Sequence, residues 1–128
     1  MNKHGNMNLS WIKDLFIIEV EGPFNEDGIK FWFSELQKSV KNRGAKDWRR
    51  LEIWNEEASG SPESIDTGKL IYDWYEENGC VLTPVVVSNS LQEHIIKNMF
   101  VSSAKIFRDK ETAQQWLGET HKNLKRDY

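Results

Sequence analysis

Apolar positions along the chain switch between two periods, and each period names an element. Leu9 to Ile12 and Leu15 to Glu21 are short apolar-rich runs separated only by Lys13-Asp14, which predicts two strands joined by a tight hairpin. In the second run Phe16, Ile18 and Val20 alternate with Ile17, Glu19 and Glu21, so one face is core and the other partly wet. Gly22-Pro23 stops that strand. Asn25 then offers a helix cap, with Glu26 and Asp27 in the first turn, where negative charge favours the helix dipole. Ile29, Trp32, Phe33, Leu36 and Val40 follow at helical spacing, and Gly44 after Lys41 and Arg43 is a good stop.

The same alternation continues. Leu51 and Ile53 alternate with Glu52 and Trp54 in a third strand near residues 49–54. Asn55 to Pro62 is the clearest loop, and Ser61 before Pro62, with Ser64 at the third helical position, starts a helix running to about Asn78. Gly68 inside it costs about 1 kcal/mol relative to Ala, which suggests close packing against the sheet. Val81 to Val87 is an uncharged β-branched run, as expected of a strand buried on both faces. Pro84 lacks a ladder donor, so pairing is expected to begin there or later. Ser88-Asn89-Ser90 caps a short helix ending near Phe100, with Leu91, Ile95 and Met99 on one face. Ala104 to Arg108 is a last strand. Asp109 caps a final helix carrying Ala113, Trp116 and Leu117, expected to stop at Gly118.

The order is β-β-α-β-α-β-α-β-α. Repeated strand–helix alternation predicts an α/β domain with a largely parallel five-stranded sheet and about four helices. The first strand, two residues from the second, runs antiparallel to it. One domain is expected over 1–118, followed by a polar, frayed tail over 119–128.

Composition narrows the function. The 128 residues carry a net charge of −3, so strong nucleic-acid binding is disfavoured. Mean hydropathy is −0.67, and no apolar run is long enough to span a bilayer. The single Cys80 and the lack of a signal-like N-terminus suit a cytoplasmic protein. The charge is uneven: from Asp47 to Gly79 nine acidic residues face three basic ones. Such a face is usually just solvated, though it would steer a basic partner.

Catalytic signatures are missing. No G-x-G-x-x-G, G-x-x-x-x-G-K-[ST] or G-x-S-x-G occurs, and His4, His94 and His121 are far apart, so no cofactor or metal is expected. Cys80, next to Glu76 and Glu77 and without a C-x-x-C partner, reads as a small apolar residue. Glu19 and Glu21 share a strand face, but solvated edge charges are commoner than acid–base pairs. The aromatics say more. Trp32, Phe33, Ile71, Trp74 and Tyr75 fit core stripes. Phe31 and Tyr72 fall off them and Trp54 falls on the wetter sheet face, as expected of contact residues. In open parallel sheets ligands bind beyond the strands' carboxyl ends, which here carry Gly22-Pro23, Asn55 to Pro62 and Ser88 to Ser90. Helix capping explains most of those hydroxyls.

The layout resembles the STAS family, the anti-sigma-factor-antagonist or SpoIIAA-like fold, over roughly Leu9 to Leu117. Phe16 to Gly22 is similar to the family's apolar strand ending in glycine, and Leu51 to Asn55 to its third strand. Gly79-Cys80-Val81 resembles its helix-to-strand step, and Ala104 to Leu117 its closing strand and helix. The likeness is to the uncharacterised bacterial branch. It implies a β-α superhelical binding module, not an enzyme. In the signalling branch a kinase phosphorylates a serine in a D-S-S-G motif at the start of the second β-α helix, adding about two negative charges. The matching place reads Ser61-Pro62-Glu63-Ser64, or Ile65-Asp66-Thr67-Gly68 with a gap, so Ser64 and Thr67 are the phosphoacceptor candidates. The expected role is regulatory contact with a protein partner or a second copy, through Phe31, Trp54, Glu56, Glu57, Ser61 and Tyr72. The alternative is carriage of a small apolar or lipid-like ligand in an internal pocket of roughly 300 Å³ or more.

Overall fold

A computed structural model describes residues 3–99 and 104–126, with side chains described through residue 120. The end of the third predicted helix, at Phe100, lies outside the described residues. The hairpin forms as read: β1 (Asn6–Ile12) pairs antiparallel with β2 (Leu15–Glu21), from Asn6 opposite Glu21 to Ile12 opposite Leu15. Lys13 turns the chain with a φ of 54°, the sign that two-residue hairpin turns require. A two-residue strand, β3 (Pro23–Phe24), precedes α1 (Glu26–Arg43). The Asn25 side chain accepts from the Gly28 N–H at 2.8 Å and from the His4 N–H at 2.9 Å, so one cap starts the helix and ties down the chain before β1. A Cβ on Gly28 would lie 1.8 Å from the His4 carbonyl oxygen, so only glycine permits that approach.

β4 (Trp48–Trp54) lies parallel to β2, with Ile17 opposite Leu51 and Val20 opposite Trp54. The loop beyond it contributes β5 (Ser59–Gly60), which pairs parallel with β3 in a small second sheet that strand periodicity did not predict. Then follow α2 (Pro62–Glu77), β6 (Cys80–Val86), α3 (Ser90–Asn98), β7 (Ala104–Phe107) and α4 (Lys110–Arg126). The main sheet has the order β1-β2-β4-β6-β7, with every pair after the first parallel.

Three expectations are corrected. Pairing of β6 begins at Cys80, opposite Trp48, well before Pro84. Val87 donates to Phe107 on β7, and alternation by two turns the Pro84 nitrogen toward β4; a single missing rung is cheaper than losing the strand. Gly118 does not stop the last helix, which continues to Arg126: good helix formers on both sides outweigh about 1 kcal/mol. Leu91 is 64% exposed in the first turn of α3, and Ile95, Ile96 and Met99 make the buried face instead.

The two faces of the sheet are covered unequally. Phe16, Ile18 and Val20 of β2 with Trp48 of β4 pack beneath Ile29, Leu36 and Val40 of α1, Ile71 and Tyr75 of α2, and Ile95 and Ile96 of α3 with Met99 just after it. On the other face Leu51, Leu82 and Val86 meet Ala113 and Leu117 of α4. Trp48 is fully buried at the centre of the larger layer. Its ring lies 5.7 Å from Trp11, 6.0 Å from Phe16 and 5.6 Å from Tyr75 in edge-on geometry, and its Nε1 donates to the Asn78 carbonyl at 2.8 Å. Trp48→Ala is therefore expected to destabilise the domain by about 3–5 kcal/mol in urea unfolding, with an unchanged denaturant slope; a loss below about 1 kcal/mol would contradict this packing.

Candidate functional site

The face of β4 beneath α1 and α2 carries Trp48, Arg50, Glu52 and Trp54 in alternate positions. Two of these four are charged, and both are buried: Arg50 is 0% and Glu52 5% exposed. The Arg50 guanidinium carbon stands 3.7 Å from the ring centre of Tyr75 and 4.5 Å from that of Tyr72, so the cation lies against two aromatic rings. Its Nε is 3.6 Å from Glu52 Oε1, and among the described residues none of its three guanidinium nitrogens has a hydrogen-bond acceptor. The other carboxylate oxygen, Glu52 Oε2, accepts from the Tyr72 hydroxyl and, at 2.8 Å, from Trp54 Nε1. A buried charge needs this much company.

The electrostatics follow. Burial opposes the Arg50 charge, but Glu52, then Cys80, Tyr75 and Tyr72, outweigh it and hold the group above its ordinary value. Burial, reinforced by Glu52, pushes the Tyr72 phenol well up, and burial does the same to Tyr75. Burial also raises the Cys80 thiol, against the pull of Arg50.

Glu52, Tyr72 and Trp54 form the polar floor of a cleft that opens at the carboxyl ends of β2 and β4. Its walls are apolar: Met7, Val20 and Phe24 on the strand side, Ile29 on α1, Ile65 on α2 and Met99 after α3. The cavity is about 60 Å³. Gly68 faces it, and a Cβ there would meet Met99 Sδ at 2.7 Å. That glycine therefore serves α2 against the end of α3, and not the sheet as its position in the sequence suggested. Ser59 and Gly60 form the lip. Beside it lies a shallow polar depression lined by Lys3, His4, Asn6, Glu21, Asn55 and Glu57.

A single buried amide holds the lip. Gln92 on α3 is 1% exposed; its Nε2 donates to the carbonyls of Asn55, at 2.5 Å, and Ala58, at 3.0 Å, and its Oε1 accepts from the Ser88 N–H at 2.8 Å. Three backbone groups of two loops are thereby satisfied at once. Ser88 Oγ adds a bond to the Trp54 carbonyl at 2.8 Å.

The predicted contact residues separate accordingly. Trp54 and Tyr72 come together on Glu52, but Tyr72 is only 4% exposed and half-buried Trp54 faces the α1–α2 layer. Neither is the exposed residue its periodicity suggested, because the stripe of α2 runs through Ser64, Gly68, Ile71, Tyr72 and Tyr75. Glu56 and Glu57 are exposed on the loop before the lip, and half-buried Ser61 caps α2 by accepting from the Ser64 N–H at 3.2 Å. Phe31 is exposed, as expected, but stands apart on α1. Of the phosphoacceptor candidates, Ser64 is 4% exposed and donates to the Ser61 carbonyl at 2.8 Å, so a phosphate there would require opening the first turn of α2. The half-buried Thr67 hydroxyl donates to the Glu63 carbonyl at 3.2 Å. Nothing in the sequence marks Arg50, Glu52 or Gln92 as site residues, and Met99 reads only as part of an apolar helix face; the one available signal is two opposite charges on the strand face that also carries Trp48 and Trp54. Among the described residues no group of three His, Cys, Asp or Glu gathers to hold a metal, and no helix is long and apolar enough to cross a membrane.

The raised phenols give a pH prediction. Unfolded tyrosines release their protons near the ordinary value of 10.0, while Tyr72 and Tyr75 keep theirs in the fold. Above that pH the unfolded chain binds fewer protons, so stability is full below it and falls as pH rises through it. In an absorbance titration, two of the three tyrosines are expected to ionise only as circular dichroism reports unfolding. Ionisation of all three near the ordinary value with the fold intact would contradict the burial.

No family model and no curated protein matches the chain. Solved structures do. One is an uncharacterised protein of the DUF3478 family with a SpoIIAA-like fold from Shewanella loihica PV-4: TM-score 0.64, 18% identity, 91% of this chain and 96% of that one covered. Another is the anti-sigma factor antagonist SpoIIAA in its unphosphorylated form: TM-score 0.58, 8% identity, 91% and 98% covered. Identities this low speak for the fold alone. The chain adopts the SpoIIAA-like α/β fold, a five-stranded mixed sheet with an antiparallel N-terminal pair and four helices.

Proposed function

We propose that this domain is a non-catalytic binding module whose cleft receives one apolar side chain of a protein partner. The observation that supports this reading is the size of the cleft. At about 60 Å³ it falls well short of the roughly 300 Å³ of a pocket that encloses a free ligand, yet it is far larger than a water site. An apolar pocket with a polar, solvent-exposed rim is the form that interface anchors take. The rim supplies Glu56 and Glu57, and the polar depression beside the lip has room for the backbone of an extended segment. The acidic surroundings favour a partner with basic residues flanking its apolar anchor.

A second reading, carriage of a small apolar ligand, draws on Met99. Its unbranched thioether is the wall between α2 and α3, and a methionine side chain re-packs easily, so its withdrawal would enlarge the cavity.

One experiment separates the two. A photo-crosslinking residue at Glu57, in cells of the source organism, is expected to yield an adduct heavier by the mass of a protein. Ser59→Leu, which puts an apolar side chain at the lip, should cut that adduct about tenfold while changing stability by less than about 1 kcal/mol. Absence of an adduct, together with a co-purifying apolar molecule of small mass in native mass spectrometry, would overturn the partner reading in favour of the carrier.

A further inference from the structure

The sheet has one long free edge. Among the described residues β1 pairs only with β2, and its other side carries no strand. Edge strands are ordinarily blunted by lysine, proline, a bulge or short length. This one has none of these: Asn6–Ile12 is seven residues, uncharged, proline-free and in unbroken register with β2. The two-residue hairpin makes Ile12 and Leu15 a hydrogen-bonded pair, and alternation then gives Ser10, Asn8 and Asn6 to β2. The backbone N–H and C=O groups of Met7, Leu9 and Trp11 consequently face outward.

α1 lies along this strand and is polarised in the same sense. Its start touches the N-terminal end of β1 through Asn25 and His4, and Trp32 Nε1 donates to the Gly5 carbonyl at 3.3 Å. Its end reaches the hairpin turn, where Arg43 Nη2 donates to the Lys13 carbonyl at 2.7 Å. One end of the edge therefore carries the acidic first turn, Glu26 and Asp27, with Lys30 paired to Glu26; the other carries Lys13, Lys41 and Arg43. Phe31 belongs to this side as well. Phe33 meets Trp74 of α2 and Trp32 reaches β1, so about 100° per residue turns Phe31 to the flank away from α2, above the free edge. It is 37% exposed with Lys3 Nζ over its ring, and Ile12 is 61% exposed at the far end.

We propose that the β1 edge pairs antiparallel with the β1 edge of a second copy of this chain, joining the two main sheets into one. The arrangement is self-complementary about a two-fold axis at Leu9. Met7, Leu9 and Trp11 of one copy meet Trp11, Leu9 and Met7 of the other. The acidic start of each α1 comes beside the basic end of the other, and Phe31 lies opposite the turn carrying Lys41 and Arg43 of the second copy. The edge shares Met7 with the cleft wall and Asn6 with the depression beside it but not the lip itself, so a change at Ser59 tells the two readings apart.

Sedimentation equilibrium over a wide concentration range tests it, with amide hydrogen exchange read by NMR on the same protein. The expected result is a dimer in which the Leu9 and Trp11 amides exchange slowly, becoming fast on dilution. Ser10→Lys with Ile12→Lys, both on exposed positions, should raise the dimer dissociation constant about tenfold or more without lowering the melting temperature. Ser59→Leu should leave the dimer intact. A monomer at all concentrations would overturn the proposal. So would a dimer in which these amides still exchange freely, or protection that only another polypeptide confers.

Discussion

A guanidinium without a single hydrogen-bond acceptor among the described residues sits under α2, and the rest of this face is arranged around it. Arg50 keeps its charge because Glu52 supplies the counter-charge two residues along the same strand and because Tyr72 and Tyr75 lay their rings against it. Cation–ring contacts of this desolvated kind contribute about 2 kcal/mol or more. Glu52 in turn is held by Tyr72 and Trp54. β4 and α2 are thus bound by a polar tie inside an apolar layer, and one sliding against the other would strand a charge.

The cleft follows from the same tie. Near the carboxyl end of β4 the sheet face presents a carboxylate and an indole nitrogen, and the layer above it does not close with rings as it does around Trp48. The helices meet instead through glycine at Gly68 and a flexible methionine at Met99, and a small apolar space remains above the polar floor. Gln92 then holds the lip from the side of α3. The site lies where parallel strands end, the general position for ligands in open α/β sheets.

Most of the architecture was legible because it rests on local rules. Asn25, Gly44, Ser61 and Gly79 punctuate the helices, and the alternation of Phe16, Ile18 and Val20 set the inward face of β2 correctly. What escaped depends on three dimensions. Tyr72 read as off-stripe because the α2 stripe was centred toward Trp74, whose half-buried position owes to Phe33 of α1. Arg50 and Glu52 read as ordinary surface charges because nothing in a strand's period says that a charge is paired inward. β3 and β5 are two residues each, below any periodic signal. Gly118 misled in the opposite direction, since a stop residue is outweighed when both flanks favour helix.

The uses argued for the domain divide between two surfaces, a lip near the acidic loop and an uncharged strand edge, while the buried tie supports the first. That tie is tested most directly by a double-mutant cycle between Arg50→Met and Glu52→Gln, the glutamine still accepting from Tyr72 and Trp54. Each single change leaves one charge buried alone and is predicted to cost about 3–5 kcal/mol in urea unfolding. The double variant, with both charges gone, is predicted to lose less than either single one, a coupling of at least about 3 kcal/mol. Losses that simply add, or single variants as stable as the parent, would contradict the account.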